Sequence, residues 1–153
     1  MDISYQMEAY SDIKNDLEEI TRIHWEEVAL NKDKIKLNPD WARYEALEKE
    51  GRLGIYTARC EGELVGYFWV LADYSLHYKD HMFAANDAIY LKKEFRKGLA
   101  GLKLIKYAEE DLKSRGISVL VINTKVHAPF DKLMERMKYN LIERVYTKYL
   151  KED

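Results

Sequence analysis

Ile89-Tyr90-Leu91-Lys92-Lys93-Glu94-Phe95-Arg96-Lys97-Gly98-Leu99-Ala100-Gly101-Leu102-Lys103-Leu104-Ile105 passes from an apolar strand, through a basic loop closed by glycine, into a helix. The helical pattern continues to Arg115: Gly101, Ile105, Ala108 and Leu112 share one face, and Ser114-Arg115-Gly116 is a basic helix end with a glycine stop. The first turn of a helix has unpaired N–H groups and the positive end of the helix dipole. Gly98, Ala100 and Gly101 are small enough to let a ligand approach that backbone, and Arg96 and Lys97 add charge beside it. Such a turn suits a phosphate or pyrophosphate. It is neither a P-loop nor a dinucleotide fingerprint, because the Gly-Lys-Ser/Thr ending and the G-x-G-x-x-G spacing are both absent. The same small residues also serve a helix start that merely packs tightly, so on these residues alone both readings stand.

On the N-terminal side, residues 82–91 form a long strand, and residues 73–80 a polar, aromatic loop before it. Residues 53–60 and 64–71 alternate with period two around Glu61-Gly62-Glu63, a hairpin. Two helices precede it. One, capped by Ser11 or Asp12, runs to about Leu30; the other opens at Asn38-Pro39, carries Trp41, Tyr44 and Leu47, and ends at Gly51. Residues 3–7 alternate as a short strand. On the C-terminal side, residues 117–122 are nearly all apolar, as in a strand buried on both faces. Pro129 starts a helix striped with Phe130, Leu133, Met134 and Met137, and residues 141–150 alternate as a final strand. A hairpin sheet that later acquires helix crossovers is an α/β fold on a mixed sheet, here of about six strands and four helices.

The chain's 153 residues suit one domain spanning 1–153. It contains no apolar run long enough to span a membrane and no secretory start, so a cytoplasmic protein is expected. One cysteine, Cys60, forms neither an internal disulfide nor a cysteine-based metal site, and no His/Asp/Glu set has helical metal spacing, so no metal is expected. Residues 1–51 carry 7 basic and 13 acidic groups (net −6), and residues 52–153 carry 18 and 14 (net +4), giving −2 in all. A near-neutral total argues against a nucleic-acid binder. The basic half can face an anion and the acidic half a cation, or both can be solvated faces.

Residues 90–105 resemble the acetyl-CoA segment of the GCN5-related N-acetyltransferases (GNAT), and the element order is similar over nearly the whole chain. In that family an Arg/Gln-x-x-Gly-x-Gly/Ala loop follows a strand. With Gly98 and Ala100 in the two small places, Phe95 takes the first, with Arg96 next to it; with Arg96 in the first place, Leu99 stands where glycine belongs. The resemblance implies acetyl-CoA as co-substrate and a primary amine as acceptor, with direct attack of the amine on the thioester. It assigns coenzyme contacts to Ile89, Tyr90, Leu91, Arg96, Lys97, Gly98, Leu99, Ala100, Gly101 and Asn123. It also implies two parallel strands, 85–91 and 117–123, that splay to admit the pantetheine. Relatives that form homodimers make that an allowed assembly here.

Direct attack needs a proton acceptor, because an amine with pKa about 10.4 is protonated at neutral pH. Asp87, a carboxylate among Ala84, Ala85, Ala88 and Ile89, is the candidate base, although a solvated aspartate at a strand edge is the plain alternative. The family's acid tyrosine falls on Met134, which cannot donate a proton. Tyr139 is the candidate replacement, with Tyr146 and His127 behind it, and His77 and His81 as possible relays. The acceptor would enter past the first two helices and the loop at 73–80, where Trp25, Glu26, Glu27, Trp41, Asp73, Tyr74 and Tyr78 supply acid and aromatic surface. Two other readings stay open: a GNAT-like binding or structural module that holds coenzyme A weakly or not at all, favoured by Met134 and the departure of the loop from the family pattern, and a nucleic-acid binder, weakened by Glu94, Glu109, Glu110 and Asp111 among its lysines.

Overall fold

A computed structural model describes residues 2–152. Its sheet has five strands in sequence order: β1 (Ile3–Met7), β2 (Leu53–Cys60), β3 (Glu63–Tyr74), β4 (Met82–Leu91) and β5 (Ile117–Val121). All neighbours are antiparallel except β4 and β5, which are parallel. The β2–β3 hairpin turns on Glu61 and Gly62, both at positive φ (50° and 84°), the backbone that a two-residue reversal requires.

Helices cover both faces of the sheet. On one side α1 (Tyr10–Val28) and α2 (Trp41–Lys49) close a core of Tyr10, Ile13, Leu17, Ile20, Leu53, Ile55, Leu64, Tyr67, Trp69 and Tyr90. On the other, α3 (Ala100–Ser114) and α4 (Asp131–Arg136) bury Leu104, Ile105, Ala108, Leu112 and Met134 against Tyr56, Val65, Phe68, Val70 and Ala84. The face of α3 that is buried is the one its spacing indicated. Burial of such a stripe supplies most of a helix's stability in water.

Helix starts are set partly by distant residues. The α2 cap is Asp40, not Asn38: its side chain accepts the Arg43 N–H at 3.0 Å, and Pro39 lies just outside the helix. The α1 cap has no side-chain bond of its own; the Tyr10 N–H instead donates to Glu48 Oε2 of α2 at 2.8 Å. Tyr10 also stacks on Trp41, ring centroids 5.4 Å apart. These contacts seat the two helices on each other.

The sixth strand expected at residues 141–150 is not formed, so the sheet has five strands, not six. The segment pairs with no strand, and Leu141 and Tyr146 are 81% and 87% exposed. Alternating side chains favour a strand only where a neighbouring strand supplies the ladder. β5 remains the sheet's edge, with Val119 exposed. Among the described residues no helix is long and apolar enough to cross a membrane, and no group of three His, Cys, Asp or Glu side chains is placed to hold a metal ion.

Candidate active site

The parallel pairing of β4 with β5 covers only Met82 to Ala85, opposite Ile117 to Val121. At the next residues β4 bulges. Ala88 lies opposite Trp69 and Asn86 opposite Val70, so Asp87 is the extra residue with no partner on β3. A bulge bends and twists its strand, and here it coincides with the point where β5 leaves. β5 ends there, at Val121 opposite Ala85, and the chain just beyond it is tied to β4 by side chains. The Asn123 N–H donates to Asn86 Oδ1 at 2.7 Å, and Asn86 Nδ2 donates to the Asn123 carbonyl at 3.2 Å. Asn123, a candidate coenzyme contact, thus stands just past the end of β5, paired with Asn86.

Along the open side of β4 the backbone groups follow the ladder's alternation. The Lys92 N–H bonds the Val65 carbonyl at 2.8 Å, so Ala88 and Tyr90 face β3, and Ile89 and Leu91 turn their polar groups outward. The Leu91 carbonyl is taken by Arg96 Nε at 2.6 Å. Beyond it a 3-10 turn (Lys93–Phe95) leads to Gly98 at φ +99°, a backbone that side chains resist. The first internal bond of α3 runs from the Lys103 N–H to the Leu99 carbonyl at 2.9 Å, leaving the N–H groups of Ala100, Gly101 and Leu102 without helical acceptors. Lys97, Gly98 and Leu99 are exposed, whereas Ala100 is buried. A loop of this shape suits an anion such as a pyrophosphate: amides without helical acceptors, an open backbone at Gly98 and the exposed lysines Lys93 and Lys97.

Arg96 does not stand free beside it. Its guanidinium grips Glu27 of α1, Nη1 to Oε1 at 2.7 Å and Nη2 to Oε2 at 3.0 Å, and lies over the Tyr90 ring at 5.2 Å. The Tyr90 hydroxyl donates to the same carboxylate at 2.6 Å. The guanidinium hydrogen bonds hold the Glu27 carboxyl down to about 2, and burial with the Glu27 charge pushes Tyr90 up to about 12. His24, one turn earlier on α1, stacks on Tyr90 at 4.6 Å; burial lowers it to about 4, so it is neutral. Burial raises Tyr67, so its hydroxyl keeps its proton, and it forms a hydrogen bond with His24 Nδ1 at 2.6 Å.

Asp87 is exposed at the bulge and accepts from the Tyr44 hydroxyl of α2 at 2.5 Å. Burial, then the hydrogen bond to Asp87, raises Tyr44 far above the ordinary phenol range, so it remains a donor. The other acidic residues expected near an acceptor have cationic partners: Glu27 has Arg96, Glu26 has Lys32 at 3.9 Å, and Asp73 has Arg52 at 2.6 Å. A surface cavity of about 230 Å³ lies short of the bulge, lined by Arg52, Leu71, Asp73, Tyr74, Phe83 and Ala85 among others.

Tyr139 is not brought to Asp87. It packs against the core beneath α3 and α4 and donates to Glu109 Oε2 at 2.7 Å, whereas Asp87 meets Tyr44 on the α2 side. Met134 is buried in the same core. His127 Nε2 donates to the Val28 carbonyl at 2.8 Å, His81 Nδ1 meets Ser118 Oγ at 2.9 Å, and His77 packs on Tyr78. Tyr146 is exposed on the unpaired C-terminal segment. The sequence reading did not find Tyr44 as a partner of Asp87 or Glu27 as a partner of Arg96. Glu27 had a signal, as an acid one turn after His24 on a helix, but nothing in the sequence pointed to its partner.

The chain thus joins a mixed sheet with a bulged strand, a parallel neighbour that ends beside the bulge, and a glycine loop opening a helix. The profile of the acetyltransferase (GNAT) family matches residues 12–136, and the chain belongs to that family; by class it is an acetyltransferase. No curated protein sequence matches it. Among solved structures it is similar to an aminoglycoside acetyltransferase from an uncultured soil metagenomic sample, crystallised with sisomicin (15% identity, 99% of this chain and 97% of that one, TM-score 0.75). It is also similar to a ribosomal-protein-alanine N-acetyltransferase from Brucella melitensis biovar Abortus 2308 (20% identity, 98% and 100%, TM-score 0.72). A third is glucosamine-6-phosphate N-acetyltransferase from Arabidopsis thaliana (14% identity, 99% and 100%, TM-score 0.75). At these identities the likeness is one of fold.

Proposed function

We propose that this protein transfers an acetyl group from acetyl-CoA to a primary amine, with Asp87 accepting the amine's proton. The observation that carries the reading is the coincidence at one point of β4 of the bulge, the end of β5 and an exposed carboxylate with no cationic partner among the described residues. The residues present fit acetyl-CoA. The N–H groups from Gly98 to Gly101, with Lys97, would hold the pyrophosphate, and Ile89 and Leu91 would meet the pantetheine, whose amides pair with a strand edge as a peptide does. The coenzyme supplies the activated acetyl group. Tyr44 orients Asp87 by donating to one carboxylate oxygen, leaving the other for the amine or a bridging water. In this reading water would protonate the departing thiolate to the free thiol, because Tyr139 is committed to Glu109.

The acceptors in the printed titles of the similar structures are an aminoglycoside, the alanine of a ribosomal protein and an amino-sugar phosphate. All present an amine, and we extend that class, and no single member of it, to this chain. Buried Met134, in the place of the family's acid tyrosine, supports a second reading as a coenzyme-binding module. Two measurements decide. Acetyl-CoA should raise the melting temperature, and free thiol should appear when a panel of aminoglycosides, polyamines, amino sugars and peptide N-termini is added. A shift without thiol release on any amine supports the module, and no shift with acetyl-CoA or CoA overturns both readings.

A further inference from the structure

α1 belongs to the layer on the Asp87 side of the sheet, yet its last turn is tied to the loop at the far end of β4. Glu27 takes Arg96 at two points, 2.7 and 3.0 Å, and takes the Tyr90 hydroxyl at 2.6 Å. Arg96 Nε is committed to the Leu91 carbonyl at 2.6 Å. A guanidinium binds a phosphate best through a two-pronged fork of N–H groups. In Arg96 the Nη1 and Nη2 prongs are spent on a carboxylate whose side chain is only 19% exposed. Elsewhere the loop is held at its two ends, by Lys92 on Glu63 at 2.6 Å and by Phe95 packed against the core on one side and by buried Ala100 on the other. Its backbone bonds are those of one short turn, Phe95 N–H to the Lys92 carbonyl at 2.9 Å and Arg96 N–H to the Lys93 carbonyl at 3.2 Å. Arg96 is two residues from Gly98, the point where the backbone reverses.

We propose that Glu27 is a positioning residue for the coenzyme: with Arg96 and Tyr90 it staples the loop to α1 and fixes where the N–H groups of Gly98 to Gly101 point, leaving Lys97 as the loop's cation toward the phosphates. The role rests on the reading that this loop holds acetyl-CoA. His24 stacked on Tyr90 braces the staple from the same helix. The Glu27 carboxylate stays ionised throughout the neutral range, so the staple is in place under working conditions.

The staple and a direct phosphate contact by Arg96 predict opposite signs. If Arg96 left Glu27 to grip phosphate, Glu27→Gln would release it and binding would tighten or stay the same. If the staple positions the loop, Glu27→Gln weakens binding. The test is CoA affinity by calorimetry, together with kcat and KM for acetyl-CoA, on the wild type, Glu27→Gln, Arg96→Gln and the double variant, with thermal melting to verify folding. Each single substitution is expected to raise Kd and KM about tenfold with kcat at saturation within about twofold, and the double variant should be no worse than the weaker single one, because both remove the same contact. Glu27→Asp keeps the charge but is too short for the two-point grip. It should fall between the wild type and Glu27→Gln, and it provides the measurement if Glu27→Gln does not fold. Unchanged or tighter binding in the Glu27 variants, or losses that multiply in the double variant, overturns the proposal. A wild type that binds no CoA overturns the functional reading along with it, whereas a wild type that binds and variants that match it overturn this proposal alone.

Discussion

Replacing Asp87 by Asn is the sharpest test of the catalytic assignment, because the structure separates what the substitution removes from what it keeps. Asn retains a carbonyl oxygen that can accept from Tyr44, so the change at that contact, now 2.5 Å, is from a charged to a neutral acceptor, a cost of about 1 kcal/mol at an exposed site. The coenzyme loop begins beyond Leu91, four residues along β4 from Asp87, or roughly 13 Å of strand. CoA affinity should therefore not move. Turnover should. An amine of pKa about 10.4 is unprotonated in only about one molecule in a thousand at pH 7.4, and a variant without a proton acceptor depends on that fraction. A loss of about 10² to 10³ in kcat is expected, in line with the usual contribution of a general base. The variant should also recover about tenfold per pH unit as the medium approaches the amine's pKa, which the wild type should not. The assay is thiol release at saturating acetyl-CoA, with CoA affinity measured alongside. Turnover within about threefold of wild type, or an equal loss in CoA affinity, refutes the assignment.

Three further outcomes follow from particular contacts. Gly98→Ala places a Cβ that meets nothing within 4 Å but on a backbone at φ +99°, so the strain is conformational, about 1–3 kcal/mol, and calorimetry should find CoA binding weakened about tenfold or more; unchanged affinity would remove the loop from the coenzyme site. Glu27, ordinarily near 4.5 and held at about 2 in the fold, contributes stability that is fully present above pH 4.5 and is lost as pH falls toward 2. The full gap is worth roughly 3 kcal/mol, which exposure of the pair cuts to about 1–2. Denaturant melts at pH 6 and pH 2.5 should thus show a larger acid loss in the wild type than in Glu27→Gln, and equal losses would contradict the ion pair. Tyr139→Phe removes the 2.7 Å bond to Glu109. Thermal melting should register about 1–2 kcal/mol of lost stability, while thiol release stays within about twofold; a hundredfold loss of turnover at normal stability would return Tyr139 to the chemistry.

Much of the fold was legible because its signals are local. The β2–β3 hairpin shows in a period of two around Gly62, β4 in its apolar run ending at Leu91, and α3 in one apolar face after Gly98. Residues 141–150 misled for the converse reason: alternation describes a strand's faces but not whether another strand is there to pair with it. The caps divide the same way. Asp40, two residues past the Asn38 of the sequence reading, caps within its own turn, but the α1 start depends on Glu48, which is 38 residues away. At the site, Asp87 was conspicuous as a carboxylate among alanines. Its partner Tyr44 is 43 residues distant and Arg96 is 69 from Glu27, so only the packing of α1 and α2 on the sheet brings them together. The bulge itself has no sequence mark apart from Asp87, because it is defined by register against β3.

The two anchorages of α1 make it a beam pinned at both ends. Nineteen residues of helix span about 28 Å, from the Tyr10 N–H held by Glu48 of α2 to Glu27 holding Arg96. α2 also carries Tyr44, the support of Asp87. A change in α2 that reshapes the entry for an acceptor thus bears on the proposed base directly and on the proposed coenzyme loop through the beam. Variants selected for a new amine will carry altered affinity for the acetyl donor with them, and the shortest way to free one from the other is to cut the beam at Glu27.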